Sequence, residues 1–286
     1  MTVQATRIVI TGSVNLDLVA RVARLPKAGE TVTNGELGRS PGGKGANQAL
    51  AARRLGAEVS LLACVGNDAM ADEALALLRA ANVDLSGVIV DPGCATGVAL
   101  IAVDARGENQ IVVAPGANRR LSADKLQLPP ADALICQLEV PVETLEFIAR
   151  TFEGFLCVNL APVTDVPEAL LQRADLLVVN EGEAKYYGDK LHRLGGLVAT
   201  TLGGRGAVLY RRGEIVATTT VPEVVPVDTT GAGDCFTAAL TLGLAEGQDA
   251  AEALRFACAA AAVSTTGHGA QAGLPDRAAA LALLAN

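Results

Sequence analysis

Late in the chain, the string Asp228-Thr229-Thr230-Gly231-Ala232-Gly233-Asp234 leads straight into an apolar, Ala-rich stretch with helical periodicity. Gly231, Ala232 and Gly233 carry little or no side chain, so main-chain N–H groups there can approach a ligand closely. At a helix start those groups lack intrahelical partners and sit at the positive end of the helix dipole, which favours an anion. Asp234 follows within reach of whatever the amides hold. A carboxylate beside an anion hole meets both needs of phosphoryl transfer to an alcohol: a base for the attacking hydroxyl and fixed donors for the oxyanions. A plain turn with Asp234 as helix cap is the competing reading. The length of the string, and its place before a helix late in an α/β chain, favour chemistry.

Other polar residues fall at breaks between apolar runs. Asn15 and Asp17 follow the first strand-like run, where an amide and a carboxylate can grip vicinal hydroxyls. The string GGKGAN at 42–47 offers the amides of Gly43 and Gly45 and the side chains of Lys44 and Asn47 at a helix start. Glu139 ends another strand. Asn180 and Glu183 open a helix after a strand, and TLGGRG at 201–206 ends the next strand with Thr201, Gly203, Gly204, Arg205 and Gly206. Taken singly, these residues also suit turns, helix starts and solvated strand ends. The GxxxxGK spacing at 38–44 fails as a Walker loop, because Gly45 stands where the Mg²⁺-binding hydroxyl belongs.

The elements that must position these groups follow from periodicity. Strand-like runs at 7–11, 59–64, 133–138, 155–160, 175–180 and 197–202 alternate with helical patterns at 46–55, 68–81, 142–152 and 167–173. Strands apolar on both faces, separated by helices, predict a doubly wound, mostly parallel α/β sheet flanked by helices. A hairpin over 207–210 and 214–220 and helices over 234–246, 250–264 and beyond Pro275 complete it. Two insertions break the alternation. One, about 16–41, has its β-type residues in GETVTNGEL at 29–37; the other, about 96–115, reads as a hairpin turning at 105–108. Together they predict a small β-sheet, either a mobile lid or a decorative subdomain.

Composition removes whole classes of function. The 286 residues carry a net charge of −8, so the basic footprint of a nucleic-acid binder is missing. No apolar run reaches the roughly eighteen residues of a membrane span. The start, MTVQATRIVITG, enters a strand almost at once and predicts no secretory leader. Six cysteines at 64, 94, 136, 157, 235 and 258 lack metal-type spacing and read as reduced thiols of a cytoplasmic protein. No Phe, Tyr or Trp precedes residue 147, which favours a sugar acceptor over a nucleoside held by base stacking.

Taken in order, GSVNLDL at 12–18, RSPGGKGANQA at 39–49, QLE at 137–139, NEGE at 180–183, TLGGRG at 201–206, VDTTGAGDCF at 227–236 and the stretch 256–271 resemble the ribokinase (PfkB) family of carbohydrate kinases. The resemblance spans the whole chain. It implies a single ribokinase-like kinase domain over 1–286, with the two insertions as its lid. It also implies ATP-dependent phosphorylation of a small sugar, D-ribose to ribose 5-phosphate. Another sugar, a 2-keto-3-deoxy sugar acid or a nucleoside as acceptor stays open, as does a non-catalytic binding protein. Asp234 would be the base, and Gly231, Ala232 and Gly233 the anion hole. Asn15, Asp17, Gly43, Lys44, Gly45, Asn47 and Glu139 would hold the sugar. Asn180, Thr201, Gly203, Gly204, Arg205, Gly206, Gly233 and Cys258 would line the nucleotide.

For ions, the resemblance implies Mg²⁺ near Glu183, held through water, and K⁺ at Asp228, Thr230, Ser264, Gly267, Gly269 and Gly273. It further implies a homodimer joined through the lid. Three positions depart from the family pattern: Gly273 where a serine is common, Leu160 where the usual run has proline, and a shortened link at 187–197.

Overall fold

The computed structural model describes residues 5–285. The leader reading of residues 1–4, and the two ends of the expected 1–286 span, lie outside the described residues.

In chain order, β1 (Arg7–Thr11) leads to the antiparallel pair β2 (Asn15–Arg21) and β3 (Glu36–Gly42), then to α1 (Lys44–Arg54) and β4 (Glu58–Gly66). Two short helices, α2 (Ala69–Ala74) and α3 (Ala76–Ala80), precede β5 (Val88–Asp91) and the hairpin of β6 (Gly97–Val103) and β7 (Asn109–Ala114). Regular alternation follows through β8 (Ala133–Gln137), α4 (Val142–Thr151), β9 (Phe155–Asn159), α5 (Glu168–Arg173) and β10 (Leu176–Asn180). After α6 (Glu181–Tyr187) and α7 (Lys190–Leu194), β11 (Leu197–Thr201) adds the last parallel strand. The hairpin β12 (Ala207–Arg211) and β13 (Glu214–Thr219) precedes α8 (Ala232–Ala245), α9 (Ala250–Ser264) and α10 (Arg277–Leu284).

Nine strands form one sheet in the order β13-β12-β11-β10-β9-β8-β1-β4-β5, parallel except for the hairpin at one edge. Side-chain alternation explains why its central strands are apolar throughout. Ile8, Ile10, Ala133, Ile135, Leu176 and Val178 enter the core under α1, α8 and α9. Their neighbours Val9, Leu134, Cys136, Leu177 and Val179 enter a second core under α4, α5 and α7. Both faces are covered, as the doubly wound pattern predicts. Among the described residues, no helix is long and apolar enough to cross a membrane. All six cysteines are free, and all but the half-buried Cys94 lie in the interior.

The two insertions form a four-stranded sheet in the order β3-β2-β6-β7. Here the sequence reading needs correction. Of the β-type residues at 29–37, only Glu36 and Leu37 join a strand, as the start of β3; 29–35 link β2 to β3. Gly29 and Asn34 take left-handed φ values of 78° and 67°, which no continuous strand accommodates. The helix expected over 68–81 is interrupted at Leu75 between α2 and α3. Strand β5 was not anticipated, being only four residues long.

A buried knot ties the small sheet to the large one. The Thr96 hydroxyl accepts from the Gly66 N–H (2.9 Å) and donates to Asp68 Oδ1 (2.8 Å), while Asp68 Oδ2 accepts from the Thr96 N–H (2.8 Å). Thr96 stands at the last residue before β6, so the knot sets the root of the hairpin. Thr96→Val keeps the shape and strands two polar partners, so it is expected to destabilise the fold by about 1–3 kcal/mol, read as a lower urea midpoint at unchanged m-value.

Candidate active site

Strand order reverses between β1 and β8. From β1 the chain proceeds to β4 and β5 on one side, whereas β8 to β11 build the other. Ligands of open α/β sheets bind at such a point, beyond the carboxyl ends of the strands. Ser13 lies just past β1 and Glu139 just past β8, and the Ser13 hydroxyl donates to Glu139 Oε2. The same oxygen accepts from the Lys44 main-chain N–H (3.3 Å), which brings the start of α1 into the crevice.

Asn15 and Asp17 alternate along β2 and are both buried. Asn118, itself buried, donates to Asn15 Oδ1 (2.8 Å) and accepts from the Val14 N–H (2.9 Å). With its carbonyl occupied, Asn15 keeps its NH₂ for another partner. Burial, followed by the charges of Glu139 and Asp234, pushes the Asp17 carboxyl up to about 6. Gly43 is the N-cap of α1, and Gly45 lets that helix press on the turn after β1: a Cβ there would lie 2.6 Å from the Gly12 carbonyl carbon. Six of the seven proposed sugar contacts therefore meet at the roots of β2 and α1 and at Glu139. Lys44 stands between that group and the next one.

Asp234 is the third residue of α8, inside the first turn and not at its cap. Gly231 is the N-cap, with φ 79°, and a Cβ there would lie 2.7 Å from the Ala270 carbonyl oxygen. Backbone conformation and crowding both require glycine at that position. Gly233 differs. It has ordinary helical geometry, and a Cβ on it would meet nothing within 4 Å.

Asp234 accepts from Asn47 Nδ2 at Oδ2 (2.8 Å) and from Gln48 Nε2 at Oδ1 (2.9 Å). Burial raises its pKa, while Lys44 and these two amides pull it back. The Lys44 ammonium, held up mainly by Asp234 and also by Glu139, Glu183 and Asp17, stays charged among the carboxylates. A cavity of about 150 Å³ joins Lys44, Asn180, Glu183, Thr201, Gly233 and Asp234.

Beyond it a larger, mostly apolar cavity of about 580 Å³ is lined by Gly203, Gly204, Gly206, Gly233, Phe236 and Cys258, among others. The expected nucleotide residues thus converge, with one exception. Arg205 is exposed, lines neither cavity, and gives its Nη2 to Glu181 Oε1 (2.5 Å). Asn180 and Glu183 form a capping box on α6, in which Glu183 Oε2 accepts from the Asn180 N–H (2.7 Å). Only that oxygen is used by the cap. Among the described residues no three His, Cys, Asp or Glu side chains could hold a metal together. A divalent ion here fits the Mg²⁺ habit of one carboxylate plus water and phosphate.

The residues expected around a monovalent cation also meet. Asp228 accepts from the N–H groups of Thr230 (2.9 Å) and Gly269 (2.8 Å), and the Ser264 hydroxyl is spent on the Ala261 carbonyl (2.7 Å). Gly267 and Gly273 pack against each other, and a Cβ on Gly273 would lie 2.6 Å from the Ser264 carbonyl oxygen. The Asp228 and Ser264 side chains are thus engaged in holding this loop together. Ser13, Gln48 and Asn118 escaped the sequence reading. A glutamine beside Asn47, just ahead of the apolar run 49–52 of α1, was the one signal available.

The pfkB family carbohydrate kinase pattern matches residues 5–277. Ribokinase of Bacillus subtilis (strain 168) is 36% identical over 283 residues, covering 94% of this chain and 96% of its own length. The crystal structure of ribokinase from Thermotoga maritima superposes with a TM-score of 0.90 at 33% identity, over 98% of this chain and 100% of that one. Ribokinase of Arabidopsis thaliana, solved in complex with ribose and ATP, gives a TM-score of 0.84 at 30% identity over 98% and 99%.

Two substitutions separate ligand demands from folding demands. Gly233→Ala should raise stability by about 0.5–1 kcal/mol through helix propensity, yet weaken nucleotide binding measured by calorimetry, because the new methyl enters the cavity. Asp17 has a raised pKa, so its contribution to stability is greatest below pH 4 and declines as pH rises through about 6. Asp17→Asn is therefore expected to raise the melting temperature at pH 8, by up to about 3 kcal/mol in free energy, with the gain vanishing near pH 4.

Proposed function

This chain belongs to the pfkB family of carbohydrate kinases and is an ATP-dependent sugar kinase, and we propose that it converts D-ribose to ribose 5-phosphate. One observation carries the site assignment: Asp234 opens on the same small cavity as Lys44, Glu183 and the first turn of α8.

Ribose would lie on Asn15, Asp17, Gly43, Gly45, Asn47 and Glu139, with its exocyclic hydroxyl toward Asp234. The carboxylate takes the hydroxyl proton as O5 attacks the γ-phosphorus of ATP. The bond from that phosphorus to the β-bridging oxygen breaks, and ADP leaves. Main-chain amides at 231–233 and the Lys44 ammonium hold the oxygens of the transferring group. Thr201, Gly203, Gly204, Gly206, Gly233 and Cys258 form the walls for the nucleotide. Arg205 reaches a phosphate only by exchanging Glu181 for it.

Glu183 would hold Mg²⁺ through water, and the bound ion would neutralise charge on the β- and γ-phosphates. K⁺ would sit between 228–230 and 264–273 on main-chain carbonyls, with no side-chain oxygen from Gly273. The four-stranded sheet serves as a lid that excludes water from the site. Its distal apolar residues, Leu37, Leu100, Ile111, Val112 and Val113, are exposed and would be covered by a second copy of the chain. The free thiols fit a cytoplasmic protein.

An ADP-release assay over a panel of sugars, with and without K⁺, tests the activity. Turnover is expected with ribose above other acceptors; no turnover with any sugar would leave a binding protein. Asp234→Asn should cut turnover by roughly 10² or more while calorimetric ribose binding persists, and near-normal turnover would remove the base.

A further inference from the structure

The Asp234 carboxylate is gripped by the carboxamides of Asn47 and Gln48, and behind these stand Gln137 and Gln271; the three glutamines have no part in the roles above. Gln48 donates to Asp234 Oδ1 (2.9 Å) and to Asn159 Oδ1 (3.2 Å), and its Oε1 accepts from Gln137 Nε2 (2.5 Å). On the other oxygen, Asn47 donates to Asp234 Oδ2 (2.8 Å), and its Oδ1 accepts from Gln271 Nε2 (3.1 Å). Two amide chains therefore end on one carboxylate, an oxygen each. Every member is buried: Gln48 and Gln137 at 0%, Gln271 at 1%, Asn47 at 5%.

Chemistry fixes the direction of every amide. An ionised carboxylate only accepts, so Asn47 and Gln48 must turn their NH₂ groups inward. Their carbonyls then face outward and require NH₂ from Gln271 and Gln137. Each chain therefore ends in a carbonyl, and the Oε1 atoms of Gln137 and Gln271 have no hydrogen-bond partner among the described residues. Reversing either chain would set a carbonyl oxygen against a carboxylate oxygen.

A half-satisfied buried polar network is worse for stability than apolar side chains of the same shape. Stability alone does not account for this one. What it supplies is orientation. The torsion that turns an aspartate carboxylate is broad, so a lone Asp234 would swivel. Opposed donors on its two oxygens pin the plane and leave the remaining lone pairs for the reacting hydroxyl.

We propose that Gln48, Gln137 and Gln271 are positioning residues that hold the Asp234 carboxylate in its working orientation through these two amide chains. This rests on Asp234 being the base in the kinase reading. Lys44, Asp17 and Glu139 also face Asp234, and none of the substitutions below touches them.

Gln137→Met, Gln48→Met and Gln271→Met, alone and in pairs, are compared in the intact enzyme with ribose and ATP, taking kcat and both KM values. Gln137 is two hydrogen bonds from the base, yet its variant should lose about five- to tenfold in kcat with both KM values within about twofold. Gln48→Met should cost more, and adding Gln137→Met to it should cost nothing further, since both act on one chain. Gln137→Met and Gln271→Met, on separate chains, should multiply. Wild-type kcat in Gln137→Met, or multiplication within the Gln48–Gln137 pair, overturns the proposal. If Gln48→Met does not fold, Gln48→Asn, whose shorter amide cannot span both partners, takes its place under the same criteria. Failure of the kinase reading is separable: it appears as no turnover in the wild type, or as full turnover in Asp234→Asn.

Discussion

A carboxylate that must stay charged while buried is the constraint around which the site is built. Desolvation alone would favour the neutral acid, which cannot accept a proton. Three things oppose it at Asp234: the Lys44 ammonium, the amides of Asn47 and Gln48, and the open end of the α8 dipole. The first two come from one helix, α1, so α1 and α8 must lie together with their starts in register. The small residues along both make that approach possible. Asn47 and Gln48 are consecutive and yet grip different oxygens, which fixes the rotation of α1 as well as its distance.

The same concentration of charge shapes the acceptor side. Burial first, and then the charges of Glu139 and Asp234, push the Asp17 carboxyl up. A polar sugar bound as proposed would relieve this by donating hydroxyl hydrogens to the carboxylates. The main sheet carries the cost. Its two covered faces hold the cores in which the large aliphatic side chains are buried, whereas the distal half of the four-stranded sheet leaves aliphatic side chains in solvent. The two aliphatic cores thus belong to the main sheet, and the candidate site lies where the two sheets meet.

What could be read from the sequence was local or periodic. The central strands of the main sheet announce themselves because apolar residues on both faces favour a buried parallel strand. The 228–234 string is legible because backbone exposure and a following helix are properties of neighbouring residues. Contacts between distant residues leave no such trace. Gln48 meets Asp234 across 186 positions and Asn118 meets Asn15 across 103, and nothing beside either residue marks the partner. The partner of Arg205 is hidden for the same reason. A cation among glycines suggests phosphate, but the parallel pairing of Asn180 with Thr201 brings Glu181 up beside it. The stretch at 29–35 misleads in another way, since its β-branched residues suggest a strand that the turn-forming Gly29 and Asn34 forbid.

The loop after α9 joins these separate requirements. Ala270 packs on the N-cap of α8, where it crowds Gly231, and Gln271 reaches Asn47 on α1. Arg54, from the end of α1, gives one guanidinium nitrogen to the carbonyls of Gln271 (3.1 Å), Ala272 (3.3 Å) and Leu274 (2.6 Å). The loop is therefore fastened to both ends of α1 and to the mouth of α8. Its other side, at Gly269, meets Asp228. A charge bound between 228–230 and 264–273 would act on the helix mouth through this loop without touching Asp234. Close approaches at Gly231 to Ala270 and at Gly267 to Gly273 keep this loop tight against the start of α8.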